Sequence, residues 1–357
     1  MSVFEPVLND LENPLVSILV YNYNYGRYLA ECLDSLINQT YSNIEINFSD
    51  NASDDDSWDI AVEFAKKYPG RMTITRNRKN LGPDANFRNC YVNARGKYFI
   101  NMCSDDVLAP EYVAKCVKTM EANPQLGFVM VHRAIIDEHS NRTDEAPFYN
   151  QSCTIQGEDK AAVYMMASVN PSVSQIMYSA QKVKDKTATG ALVSRWYGTR
   201  ILDFNLCTEY PVAYIKEPLL LHRIHGESHS LAAADNLMEV IGPYVLQHQF
   251  ADTASIHNMN KVVDRLDSSI EKLAQQSLRY SVRALFNDDN VNAKKYYHLA
   301  LVMSSEIAKD KNLQKIEQYW LSDKTEKAKL LQELKATGEL VTRTVSYEPP
   351  PGSTPLQ

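Results

Sequence analysis

No pair of cysteines in this chain of 357 residues has the C-x-x-C spacing of a zinc or redox site, and only six cysteines are present. Cys32, Cys90, Cys103, Cys116, Cys153 and Cys207 are scattered, several of them within apolar patterns, as free buried thiols are. A reducing compartment suits them. No run of eighteen apolar residues occurs, so no transmembrane span is expected. The opening MSVFEPVLNDLENPLVS has neither the basic nor the apolar region of a signal peptide, and a cytoplasmic protein is expected. Positive charge is not in excess: the formal net charge is −7, which argues against nucleic acid as a partner. The N-terminal third lacks a Gly-rich phosphate loop, which disfavours a nucleotidyltransferase. No repeat of about 34 residues recurs, so a repeat array is set aside.

What is present is an ordinary globular composition, 44% hydrophobic and 23% charged, enough to build a full core. The first third alternates strand and helix signals. LVSILVY is a short apolar run closed by turn-formers, and NIEINFSD alternates Ile44, Ile46 and Phe48. Between them, GRYLAECLDSLINQ places Leu29, Leu33, Leu36 and Ile37 on one helical face. SDDDSWDIAVEFAKKYPG, GPDANFRNCYVNARG and PEYVAKCVKTMEANP read as further helices, and RMTITRN, KYFINMC and LGFVMVH as further strands. This order predicts an α/β fold with a mostly parallel sheet and helices on both faces. EYPVAYIKEPLLLHRIHGESHS reads as strand, turn and polar loop, and residues 133–200 carry no clear pattern. Amphipathic helices follow from about residue 231, two of them joined by an Asn/Asp turn. The expected organisation is a catalytic domain over 1–230, a helical C-terminal region over 231–340, and a Pro-rich, disordered tail over 341–357.

In open α/β sheets, ligands bind beyond the carboxyl ends of the strands. Three such ends carry polar clusters: YNYNYG, SDNASDDD and CSDD. If the strands are neighbours, these clusters share one crevice. There the adjacent Asp105 and Asp106 are a natural seat for Mg²⁺ or Mn²⁺, hard ions that take carboxylates and substrate phosphates. A plain turn or helix cap is the alternative.

The order of motifs resembles glycosyltransferase family 2, of the GT-A fold. Tyr23-Asn24, Gln39-Thr40-Tyr41 and Asp50-Asn51-Ala52-Ser53-Asp54 match its opening; NLGPDANFRNCYVNARGKYFINMCSDD matches its next block, and PVAYIKEPLLLHRIHGESHS a later one. Together they cover roughly residues 14–230. The resemblance implies a hexosyltransferase-type enzyme that moves a sugar from a nucleotide diphosphate, with inversion. It also implies roles. Tyr21, Asn22 and Tyr23 would line the nucleoside, Asp50 would read a uracil ring, and Asn86 would face the same pocket. Asp105 would lie near the ribose and the metal, and Asp106 would hold the metal directly. Arg223 and His225 would bind the diphosphate, His225 being a further metal candidate. Two departures stand out: Cys103 replaces the family's first acidic residue, and Tyr21 replaces a common proline.

Inversion needs a base for the acceptor hydroxyl. Thr199 stands at the family's spacing, so Asp203 is the expected base and Glu209 the alternative. His222 and His229 read as plain surface residues. The expected partners are a UDP-sugar and a glycan, lipid-linked or protein acceptor. Peripheral membrane association and a homo-oligomer are open, as is the acceptor. Surface polysaccharide synthesis is the leading role. A protein glycosyltransferase that grips its acceptor with the helical region, or a nucleotide-sugar-binding pseudoenzyme, are the competing ones.

Overall fold

A computed structural model describes residues 13–166, 172–187, 198–226, 237–338 and 343–356. The chain divides into two compact units. The first comprises residues 1–160, 170–225 and 343–357; the second comprises 161–169 and 226–342.

The first unit is built on one mixed sheet. Its strands are β1 (Val16–Asn22), β2 (Ile44–Asp50), β3 (Met72–Arg76), β4 (Tyr98–Cys103), β5 (Val107–Leu108), β6 (Phe128–Ile136), β7 (Arg142–Thr143), β8 (Cys153–Ile155), β9 (Ile176–Ser179), β10 (Val212–Arg223) and β11 (Thr354–Pro355). Helices α1 (Gly26–Ile37), α2 (Ser57–Lys67), α3 (Pro83–Tyr91), α4 (Tyr112–Ala122), α5 (Gly157–Tyr164), α6 (Ala180–Thr187) and α7 (Gly198–Cys207) complete the order. The sheet runs β11-β8-β10-β6-β9-β4-β1-β2-β3, with β5 on β10 and β7 on β6. β4, β1, β2 and β3 form the parallel core, and β9 is antiparallel to both β4 and β6.

β1 lies between β2 and β4, and its apolar run has no solvent face, as a central parallel strand requires. Leu29, Leu33 and Leu36 of α1 meet Ile18, Val20, Ile46 and Ile100 in the core. Gly96 lets the chain enter β4 beside β1: a Cβ there would stand 2.5 Å from the Tyr98 carbonyl oxygen and 2.6 Å from the Ser17 nitrogen.

Two expectations are corrected. Lys216-Glu217-Pro218 is not a turn; β10 runs through it for 12 residues, with register shifts around Pro218. Proline is tolerated because β8 pairs only with Val212–Tyr214 and β5 only with Leu220–Leu221, so Pro218 falls in the gap between them. The tail expected to be disordered is folded over residues 343–356. Arg343 donates to the Ala146 carbonyl, Tyr347 bridges Tyr149, and Thr354–Pro355 pair with β8. Its prolines do not need apolar periodicity, because an existing sheet edge supplies the partners.

The second unit is helical: α8 (Met238–Ile256), α9 (Asn260–Val263), α10 (Leu266–Phe286), α11 (Asn290–Met303), α12 (Lys311–Leu321) and α13 (Lys324–Gly338). The Asn287-Asp288-Asp289 turn joins α10 to α11, and Asp289 caps the latter through the Asn292 amide. Leu278, Val282, Tyr297, Ile316 and Leu334 are buried together. Among the described residues, no helix is long and apolar enough to cross a membrane.

Candidate active site

The strand register brings the three polar clusters together. Tyr21 stands between Ser49 of β2 and Cys103 of β4, and Asn22 stands opposite Asp50. Two left-handed residues shape the exits, Asn24 at φ 57° after β1 and Ala52 at φ 61° after β2. Tyr21 packs edge-on against Phe87 of α3. Tyr23 is half-buried at the same exit.

Asp50 is fully buried, and its oxygens are taken by the chain itself. Ser53 Oγ donates at 2.5 Å, the Ser53 amide at 3.0 Å and Asn22 Nδ2 at 3.2 Å, while Arg76 Nε lies 3.2 Å away. These contacts tie the β2 turn to β1 and β3. Asn86 is likewise committed: its amide donates to the carbonyls of Asn22 and Ser49, and it accepts from Ser49 Oγ. It braces two strand ends rather than facing an open pocket. Asn22 Oδ1 is buried without a donor among the described residues.

The acidic pair divides in two. Asp106 is fully buried and receives four hydrogen bonds: His222 Nδ1 at 2.9 Å and the Arg223 amide at 3.0 Å on Oδ1, and Ser172 Oγ at 3.2 Å and Ser174 Oγ at 2.6 Å on Oδ2. Burial pushes its carboxyl up, but His222, Ser174 and the Arg223 amide together hold it below the usual range. Both of its oxygens are engaged by these donors. Asp105 is different: its Oδ2 lies 3.2 Å from His225 Nε2, and no other side chain is bonded to that carboxylate among the described residues. The His225 ring is buried against Tyr25 and Tyr28. Cys103, Asp105 and Asp106 offer ligand atoms within 4.8 Å of one another.

The Asp105 carboxylate and the His225 imidazole beside it are the donors that would hold a hard divalent ion here. Two neighbouring ligands of an octahedral ion, each ~2.1 Å from it, stand ~3 Å apart. Burial, then Asp106 and Asp105, pushes the Cys103 thiol well up.

Arg223 does not reach a diphosphate. It is 2% exposed, and its Nε donates to the Asp105 carbonyl, Nη1 to the Asp137 carbonyl and Ser140 Oγ, and Nη2 to Glu31 Oε2. The guanidinium also lies over the Tyr28 ring. It is a clamp beneath the acidic motif.

Neither expected base is at this end of the sheet. Asp203 on α7 is buried and accepts from Tyr178 Oη at 2.7 Å. Tyr178 pairs with Phe99 at the start of β4, and Asp105 lies six residues beyond, ~20 Å at ~3.3 Å per residue. Glu209 is exposed on the turn that precedes β10, whose far end carries Arg223. Both carboxylates belong to the strand-start end. No aspartate or glutamate occurs between Asp185 and Asp203 in the sequence. Ser172, Ser174 and His222 were not anticipated: their tie to Asp106 spans 66, 68 and 116 residues, which no local pattern reveals. His229 lies outside the described residues.

Residues 17–171 match the family described as glycosyl transferase family 2. Over those residues the chain carries the sequence pattern of this family. An uncharacterized glycosyltransferase of Nostoc, alr2836, is 26% identical over 229 residues, 63% of this chain and 69% of that protein. Chondroitin synthase of Escherichia coli is 32% identical over 130 residues, 36% of this chain; the match spans only 18% of the synthase. The fold of TarS from S. aureus, solved in complex with UDP-GlcNAc, superposes with a TM-score of 0.51 at 13% identity, covering 79% of this chain and 90% of that one. The family match agrees with the resemblance seen in the motifs, and the superposition agrees with the mixed α/β fold with a parallel core; ligands and acceptor are a separate matter.

Proposed function

We propose that this family 2 glycosyltransferase transfers a sugar from a uridine diphosphate donor to a hydroxyl acceptor, with inversion and with Mn²⁺ or Mg²⁺, in surface polysaccharide synthesis. The observation that carries this reading is the Asp105–His225 pair at the strand-end crevice, 3.2 Å apart. Asp105, rather than Asp106, is the carboxylate free to take the ion, with His225 beside it. The ion supplies charge neutralisation for the diphosphate leaving group. On the chain's side, Arg223 and Asp106 hold the motif's backbone in place, while Tyr21, Asn22 and Tyr23 border the nucleoside. Asn22 Oδ1 is a buried acceptor without a donor among the described residues, and uracil N3–H is a donor of the kind it lacks. Asp50 serves that recognition by fixing the Asn22 amide. The UDP-GlcNAc bound by TarS and the polymer made by chondroitin synthase support the donor class and the kind of product.

A second reading, a nucleotide-sugar-binding protein without transfer, is favoured by the position of Asp203 and Glu209 away from the acidic motif. One screen decides between them: hydrolysis of a panel of nucleotide sugars with Mn²⁺, which needs no acceptor. Turnover of a UDP-sugar is the expected result. UDP binding without turnover of any donor favours the second reading, and tighter binding of GDP than UDP overturns the donor assignment.

A further inference from the structure

We propose that the groove between α11 and α12 is a glycan-binding site that seats a neutral sugar residue of the acceptor or product. It is made of second-unit residues alone, and only the choice of ligand rests on the sugar-transfer reading. Lys294, Tyr297 and His298 stand at i, i+3 and i+4 on α11, and Glu317, Trp320 and Leu321 repeat that spacing on α12. Each helix thus presents one contiguous face, and the six side chains line a cavity of about 320 Å³. Small-molecule sites begin at about that size, ~300–1,000 Å³. Caps fix both helices: Asp289 accepts from the Asn292 amide and Asp310 from the Asn312 amide. Tyr297 Oη donates to Glu317 Oε1 across the groove and ties its walls together.

The lining specifies the ligand chemistry. Trp320 meets Tyr297 at 5.1 Å between ring centroids and 84° between planes, and the exposed Lys294 places Nζ 5.7 Å from the indole centroid. The indole face under Lys294 is therefore covered only by a surface side chain, which can swing aside. That face carries negative charge density, and the C–H bonds on one side of a pyranose ring offer the positive complement. Trp320 Nε1 is buried with no acceptor among the described residues, where an indole N–H normally has one. A sugar hydroxyl is such an acceptor. Glu317 and Lys294 carry opposite charges, so an anion would meet the carboxylate and a cation the ammonium. A neutral ligand that stacks and also exchanges hydrogen bonds suits both, because hydroxyls donate to a carboxylate and accept from an ammonium. Leu321, 89% exposed, extends the apolar surface at the rim.

The test uses the full chain. Chitotetraose, cellotetraose, maltotetraose and β-1,4-galactotetraose are titrated by calorimetry, with choline chloride as the cationic control and UDP in a separate titration. Wild type should bind a member of the sugar panel with a Kd of ~1 mM or tighter. Trp320→Ala should weaken that binding at least ~10-fold, the scale for truncating a central aromatic anchor. Trp320 also packs on the helical core, so Glu317→Gln, at an exposed position, is the second variant. It should melt as wild type does and bind at least ~3-fold more weakly, since a charged acceptor holds a hydroxyl more tightly than an amide. Absence of wild-type sugar binding at that strength overturns the site, as does tighter binding of choline than of any sugar. Binding left intact by Trp320→Ala, or by Glu317→Gln where the first variant unfolds, also overturns it. UDP binding without sugar binding removes the site and leaves the donor reading; sugar binding that is lost with Trp320, in a chain that binds no UDP, upholds the site and removes the donor reading.

Discussion

Arg223 donates through Nη2 to Glu31 Oε2 at 2.6 Å, so the cation that the sequence offers to a diphosphate is spent within the fold. The same guanidinium holds the Asp105 and Asp137 carbonyls. Replacing it with methionine leaves those buried acceptors unsatisfied, at about 1–3 kcal/mol each. Arg223→Met should therefore unfold at lower urea concentration than wild type. Any loss of donor affinity should follow from disorder of the acidic motif. A variant of unchanged stability that has lost UDP affinity would return Arg223 to the diphosphate.

The two aspartates should separate cleanly on substitution. Asp105→Asn is expected to lower Mn²⁺ affinity in the presence of UDP by at least ~10-fold while leaving unfolding nearly unchanged, because only His225 is bonded to that carboxylate among the described residues. Asp106→Ala strips the acceptor from Ser172, Ser174, His222 and the Arg223 amide, and should cost about 3–5 kcal/mol of stability. Metal titration and chemical denaturation read the two effects independently. The reverse pattern would restore Asp106 as the direct ligand.

Acid should find the same carboxylate. Asp106 is held below its ordinary range in the fold. Above the unfolded value, ~3.9, its contribution to stability is complete. Below that, the unfolded chain binds the proton first, and the contribution disappears as pH falls through the lower folded value. Unfolding free energy measured without metal should thus drop more steeply below pH ~4 in wild type than in Asp106→Asn. Parallel curves would contradict it.

Asp203 illustrates how a local pattern misleads about a site. An acid among Ile201, Leu202, Phe204 and Leu206 needs a partner, and the sequence cannot say whether that partner is a substrate or a side chain. Here it is Tyr178, and burial, then the nearby Asp203 charge, pushes that phenol well up. Asp203→Asn should lose stability and keep donor hydrolysis within about twofold. A loss of ~100-fold with stability intact would make it the base after all.

The fold was legible because its signals are local. Strand runs, the α1 stripe and the turns after β1, β2 and β4 each lie within a few residues, and their convergence follows from parallel-sheet topology. The division of labour within the site was not legible. Asn86 and Arg223 have the chemistry of ligand-binding residues, but their donors are consumed by carbonyls contributed by distant segments. His222 gives no local signal for the complementary reason: its anchor lies 116 residues earlier in the chain.

The C-terminal stretch makes the last case. Its prolines and lack of periodicity read as disorder, yet four backbone hydrogen bonds join Arg343, Tyr347 and Leu356 to Ala146, Phe148, Asn150 and Ser152. Tyr347 packs on Phe148, and Leu356 lies against the main core. At about 0.5–1 kcal/mol for each hydrogen bond, these contacts are worth roughly 2–4 kcal/mol. Deleting residues 343–357 would also uncover the outer edge of β8, and an uncovered edge invites strand pairing between molecules. The truncated chain should melt several degrees lower and aggregate on concentration, while His225 and Asp105 remain in place to bind Mn²⁺ with UDP. Unchanged melting, measured by calorimetry, together with unchanged light scattering would mean that the tail is bound too weakly to matter to the fold.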